Sequence, residues 1–226
     1  MRPSYVPGEY ASQPLGGAVV WSRAPGEPTP AGLLPDAIRS VERLLDYRLR
    51  RTVHVVVYDS NEEACRALGR RVEPTMLLSP LHTRELSLVA LQAPAVDPQN
   101  GDSERMWRHL CHELGHVFSA ERTGSIKRLG DDNRHMRIPE WADEGFAEVV
   151  AAEVAARPDI IDTALRRSSV VSMSDDEMAR AFRDLNSKVR DVASATATAR
   201  VWRAVQTRGL RFVFEHLAAI FSSRGT

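Results

Sequence analysis

The sequence predicts an α+β fold, a small mixed β-sheet followed by a mostly helical C-terminal part. Three observations carry this. The short runs that read as strands, above all Val53, Val55, Val56 and Val57, lie before residue 100. From residue 102 onward, apolar residues recur at helical spacing instead. Where the two regimes meet, His112-Glu113-Leu114-Gly115-His116 sets two histidines four apart, so one face of a helix presents both imidazoles.

Taken in order, residues 1–16 are rich in Pro, Gly, Ser and Tyr and predict a flexible N-terminal arm. Residues 17–226 are long enough for one domain with a substantial core and too short for several. Within it, 17–101 carries the sheet and 102–226 the helices. Ala18–Trp21 predicts a short first strand, and prolines 25, 28 and 30 mark the connection after it. From Pro35 to about Leu49, the residues Leu34, Ile38, Val41, Leu44, Leu45 and Leu49 keep helical spacing. Thr52–Tyr58 predicts a buried strand. Ser60 with Glu63 forms a capping-box pattern for a helix to about Leu68. Thr75–Ser79 and Glu85–Gln92 are two further strand candidates, and a Pro/Asp/Asn/Gly loop, 94–102, follows.

Asp102 or Ser103 suits the N-cap of the next helix, which runs through Trp107, Leu110, Leu114 and Val117. The polar, Gly/Asp-rich segment 122–138 predicts a loop of the kind that borders sites. Pro139 suits the first turn of another helix. That helix carries Trp141-Ala142-Asp143-Glu144-Gly145-Phe146-Ala147-Glu148 and continues through Val149, Val150 and Val154. Beyond Arg157 the chain reads as all-helical. Ser174 to Glu177 is a second capping box, followed by Met178, Phe182, Leu185 and Val189. Val192–Gln206 and Leu210–Phe221 are two more helices, broken by Gly209.

Composition narrows the function. The 226 residues hold 30 basic and 30 acidic side chains. There is no basic excess to point to nucleic acid and no acidic tail. Two cysteines, Cys65 and Cys111, make no disulfide framework; they predict small buried thiols in a reducing compartment and a cytoplasmic location. No apolar run reaches the ~18 residues of a membrane span, and the N-terminus has no apolar core of a signal peptide.

The two motif helices carry the chemistry. His112 and His116 can offer two imidazole nitrogens to one Zn²⁺. Glu113 lies about 100° round the helix from His112. It is poorly placed as a third ligand and better placed to reach a water at the metal. Glu144 follows His116 by 28 residues, room for one helix to end, a loop to cross and a second helix to begin. A carboxylate arriving from that helix completes a His₂Glu set, the catalytic rather than the closed structural arrangement.

HELGH followed by WADEGFAE resembles the gluzincin metallopeptidases, the peptidase MA-like group that includes the M1 aminopeptidases. Their pattern is H-E-x-x-H and then W-x-x-E-G-x-A, and the resemblance covers about residues 103–155. By position it implies a zincin-like fold with the metal site between two helices. It implies one Zn²⁺ per chain on His112, His116 and Glu144, Glu113 as general base for a zinc-activated water, and a peptide or protein substrate. In that family one strand edges the cleft and pairs with the substrate backbone; Leu86–Ala90 is the candidate here, with plain core sheet as the other possibility. The family's aminopeptidases carry a Gly-x-Met-Glu-Asn motif upstream. This chain has none, which favours endopeptidase action.

Further residues have a plain and a functional reading. Glu148, four after Glu144, can hold a histidine ligand's second nitrogen or be a solvated carboxylate. His109 is a structural histidine on roughly the same face as His112. Gly115 costs about 1 kcal/mol in a helix interior, which close packing near the metal would rationalise. Trp141 is a core anchor. Related gluzincins supply a Tyr or His after the glutamate ligand to stabilise the oxyanion, yet Tyr5, Tyr10, Tyr47 and Tyr58 all precede the motif here. Residues 194–198, where a relative would carry that Tyr, read Ser-Ala-Thr-Ala-Thr. The candidates left are His135 in the inter-helix loop, which is preferred, His216 and Arg200. His216 lies on the apolar stripe of Phe212, Val213, Leu217 and Ile220, where a satisfied core histidine is the default. This departure predicts narrow activity. It also keeps a second reading, a zinc-binding pseudopeptidase acting as a binding or regulatory module.

Overall fold

The computed structural model describes residues 6–23, 30–68, 79–82, 86–91, 102–125, 137–171, 173–183 and 187–222. The architecture is the α+β arrangement that the sequence predicts. Among the described residues, five strands form one mixed sheet in the order β1-β2-β3-β5-β4. They are β1 (Ala11–Leu15), β2 (Ala18–Ser22), β3 (Val53–Tyr58), β4 (Ser79–His82) and β5 (Leu86–Leu91). β2, β3 and β5 run parallel, while β1 and β4 lie antiparallel at the two edges.

Every residue of β3 is buried, as a central strand covered on both faces requires. Its side chains divide with period two. Val53, Val55 and Val57 join the main core with α1 (Leu34–Leu45), whose Leu34, Ile38, Val41 and Leu45 line the facing stripe. Val56 and Tyr58 point the other way, against Ala64 of α2 (Asn61–Leu68) and against Val6 and Tyr10. The predicted capping box at α2 is present in part. The Glu63 N–H donates to Ser60 Oγ at 3.1 Å, and Glu63 Oε2 accepts from the Asp59 N–H at 3.1 Å.

Three expectations change. The stretch 1–16 is not a loose arm over its described part. Ala11–Leu15 pairs with β2 in full register, Leu15 opposite Ala18, and Gly16 and Gly17 form the two-residue turn with φ of 52° and 88°. A Gly-Gly pair between two strands is a hairpin signal that composition alone obscures. Tyr10 is also fastened: its hydroxyl donates to Glu63 Oε2 at 2.7 Å, and Arg23 bridges Glu63 and Asp59. Second, Leu86–Leu91 is an internal strand with β3 on one side and β4 on the other, so among the described residues the outer strand on that side is β4. That edge strand starts at Ser79, and the rest of the candidate Thr75–Ser79 lies outside the described residues. Third, α1 stops at Leu45 because Asp46 turns left-handed, φ 48°. Leu49 still packs on the core from the segment beyond, which is why its spacing reads as helical.

Among the described residues, seven helices follow the sheet: α3 (Asp102–Thr123), α4 (Glu140–Val154), α5 (Pro158–Val170), α6 (Asp175–Arg183), α7 (Ser187–Arg208), α8 (Leu210–Glu215) and α9 (Leu217–Phe221). The capping box at α6 is reciprocal: the Ser174 N–H donates to Glu177 Oε2 at 2.7 Å, and the Glu177 N–H to Ser174 Oγ at 3.3 Å. Among the described residues no helix is long and apolar enough to cross a membrane.

Helix α4 lies between α3 and α7 and is buried almost all round, from Trp141 to Ala152. Such a helix needs small residues where its neighbours come close. A Cβ on Gly145 would lie 2.6 Å from the carbonyl oxygen of Ala197 and 3.0 Å from Val201 Cγ2. Gly145→Ala is therefore expected to lower the unfolding free energy by about 1–3 kcal/mol in a urea titration, against a helix-propensity gain of at most ~1 kcal/mol. An unchanged or raised midpoint would contradict this packing.

Candidate metal centre

Both motif histidines come from α3, one turn apart, and Glu144 comes from α4. What lets the two helices bring them together is Gly115. A Cβ there would stand 2.7 Å from Ala147 Cα and 3.1 Å from its Cβ. The two backbones thus come close together one residue from His116 and three from Glu144, as the packing explanation for Gly115 expects.

The result is a group of three donors within 4.8 Å of one another, His112, His116 and Glu144. His112 Nε2 and His116 Nε2 are 3.2 Å apart. Glu144 Oε2 lies 3.6 Å from the first and 3.8 Å from the second. Tetrahedral ligands about 2.0–2.1 Å from a zinc ion stand about 3.3–3.4 Å from one another. The donor set therefore fits a metal ion of that size with little movement, and its chemistry, two imidazoles and a carboxylate, suits one. The imidazole rings are nearly perpendicular, at 82°.

The far nitrogen of each ring is held as well. His112 Nδ1 meets Glu148 Oε2 at 2.9 Å, and Glu148 Oε1 accepts from Arg108 Nη1 at 2.7 Å. His116 Nδ1 meets Asp143 Oδ2 at 2.7 Å, with both side chains buried. A carboxylate on Nδ1 fixes the tautomer that turns Nε2 towards the metal position. The sequence reading names Glu148 for such a role and misses Asp143. The signal was available: two histidine ligands need two acceptors, and Asp143 adjoins Glu144.

Electrostatics point the same way. Burial by itself would lower the pKa of His112, but its hydrogen bonds to Glu144 and Glu148 and the charge of Glu113 hold it well above the ordinary histidine value. His116 is likewise raised, against burial, by Asp143 and Glu144. Glu148 is held below the usual carboxylate range despite its burial, by His112 and Arg108. Glu113, Asp143, Glu144 and Glu148 together favour positive charge between the rings, whether carried by protons or by a divalent cation.

Glu113 is 6% exposed and is not one of the three converging donors. Its Oε1 lies 3.7 Å from His109 Nε2. His109 stacks parallel to His112, at an interplanar angle of 2°. Burial, then the neighbouring charges of His112 and Arg108, push its pKa down to about 4. It is therefore a neutral imidazole beside the carboxylate at ordinary pH. Cys111 is buried, its thiol pushed up to about 12 by that burial, and it is not part of the donor group.

Of the other candidates, His135 lies outside the described residues. Arg200 is committed elsewhere: it pairs with Asp175, donates to the Met173 carbonyl and sits 5.4 Å over the Trp141 ring. His216 is not a core histidine. It is exposed at the break between α8 and α9, stacked on Phe212, with Nδ1 2.9 Å from the Phe212 carbonyl oxygen. The stripe that suggested burial holds only for Val213 and Leu217; Phe212 is itself exposed. Trp141 is the core anchor expected, packed edge-on against Phe221 and against Met178. Comparison with protein-family models and with curated proteins finds no match to this chain. The functional reading therefore stands on the chemistry of the group itself.

Proposed function

We propose that the chain is a zinc-dependent peptidase of gluzincin type, an endopeptidase with a narrow range of peptide or protein substrates. The observation that carries this is the convergence of His112, His116 and Glu144 at ligand spacing, with a buried Glu113 on the same helix outside the donor set. Three protein ligands leave a fourth position for water or substrate, the catalytic pattern. A zinc ion held there supplies Lewis-acid polarisation of the scissile carbonyl and activation of a water. Glu113 takes the proton of the attacking water and passes it to the leaving amine. Glu148 and Asp143 keep the two imidazoles oriented. With β5 paired on both sides, β4, the edge strand beside it among the described residues, is the one to take an extended substrate backbone.

Asp143→Ala tests the orienting role. It leaves His116 Nδ1 without its acceptor and is expected to weaken zinc binding by about 10–100-fold. Competition against a chromogenic chelator measures this, and unchanged affinity would remove Asp143 from the account.

Narrow activity is expected because an oxyanion needs a donor besides the metal, and losing one costs about 10²–10³ in rate. The two described candidates, Arg200 and His216, have their contacts elsewhere. That observation also favours a second reading, a zinc-binding pseudopeptidase that serves as a binding module. Digestion of a broad peptide library by wild type beside Glu113→Gln separates the two. A few zinc-dependent cleavages, absent from the variant, support the peptidase. No cleavage favours the binding module, and efficient cleavage of many unrelated peptides contradicts the narrowness.

A further inference from the structure

A cleft of about 480 Å³ opens between α5 and α7 and reaches the rear of the metal group. The group and the cleft lie at opposite ends of one imidazole. His112 turns Nε2 to His116 and Glu144, and Nδ1 to Glu148, which lines the cleft together with Arg108. Glu113, His116 and Glu144 do not line it, so it is separate from the face on which the donors converge.

Much of the charge around the cleft is internally paired. Arg157 holds Asp159 through two nitrogens, at 2.8 and 2.9 Å, and Glu104 at 2.6 Å. Arg108 uses one nitrogen on Glu148. Two charged side chains have no such partner among the described residues: Arg167 on α5 and Asp191 on α7. They border the cleft from its two walls without pairing with each other, and Ile160, Ala164 and Ala195 provide apolar lining. One unpaired cation, one unpaired anion and an apolar surface match a small aliphatic zwitterion. The volume lies in the ~300–1,000 Å³ range of small-molecule sites.

We propose that this cleft is a second ligand site, for an aliphatic amino acid or short peptide, with its carboxylate on Arg167 and its ammonium on Asp191. Occupancy reaches the metal group because the carboxylate held by Arg167 brings negative charge into the cleft that Arg108 also lines, where it competes with Glu148 for the Arg108 guanidinium, and Glu148 holds His112. This coupling rests on the metal reading; the binding does not.

Calorimetry with leucine, N-acetylleucine and leucinamide tests it. Leucine is expected to bind, and loss of either charge, by capping or by Arg167→Gln or Asp191→Asn, to weaken binding about tenfold or more. Both residues are exposed, so neither variant is expected to disturb the fold. No binding of leucine, equal binding of all three probes, or undiminished binding in both variants overturns the site. With cobalt(II) in place of zinc, leucine is expected to shift the visible spectrum of wild type but not of Arg167→Gln. An equal shift in both proteins would place leucine on the metal itself and overturn the assignment. A chain that takes up no cobalt contradicts the metal reading, while the calorimetry still decides the cleft.

Discussion

Glu113→Gln is expected to keep its zinc and its fold and to lose about 10²–10⁴ of the hydrolytic rate, the usual contribution of a positioned general base. The geometry makes this a sharp expectation. Glu113 lies outside the three-donor group, so an isosteric amide leaves the ligands in place. It is buried on α3 beside His109, 3.7 Å away, and glutamine fills the same space. What the amide lacks is basicity, since it cannot accept the proton of an attacking water at neutral pH. Steady-state kinetics and elemental analysis on one preparation measure both halves. A variant that has lost its zinc would place Glu113 among the ligands and undo the assignment of roles.

Chelation of zinc is expected to lower the melting temperature of the wild type by about 8–16 °C. Ligand held at a thousand times its dissociation constant stabilises a fold by about 4 kcal/mol, and each kcal/mol is worth about 2–4 °C in a chain of this size. The stabilisation is large because the ion would bridge α3 and α4, two helices of the main core. His116→Ala and Glu144→Ala are each expected to be insensitive to the chelator. His116→Ala also leaves Asp143 buried without its histidine and starts from a lower melting temperature; Glu144, half-buried, gives the milder background. A chelator-induced drop of wild-type size in either variant would mean that the metal binds elsewhere.

The sequence made the helices of the site legible because period and spacing are local properties. His112 and His116 four apart, and Glu144 just inside a helix opened by Pro139, needed no tertiary information. Which carboxylate serves which ring did need it: Glu148 and Asp143 both stand near Glu144 in the sequence, but only the packing of α4 on α3 gives Glu148 to His112 and Asp143 to His116. The same limit explains the sheet. β5 reads as a strand from its composition, but only the order β1-β2-β3-β5-β4 shows that both its edges are taken and that β4 lies outside it among the described residues. Leu49 and His216 mislead in opposite directions. Leu49 keeps helical phase after Asp46 has ended the helix, and His216 falls on an apolar stripe that is interrupted at the break between α8 and α9. Gly115 was legible as an oddity in a helical run, and the close approach to Ala147 gives its reason; the need for Gly145 shows only in its approach to Ala197.

His112, His116 and Glu144 are expected to hold one zinc ion. The measurement that meets it most directly is zinc K-edge X-ray absorption on the purified wild type, with elemental analysis of the same sample. The expected result is about one zinc per chain, with two imidazole nitrogens and a carboxylate oxygen about 2.0–2.2 Å from it. Zinc absent at saturating supply, a sulfur scatterer from Cys111 in the first shell, or a spectrum unchanged in His116→Ala would contradict it.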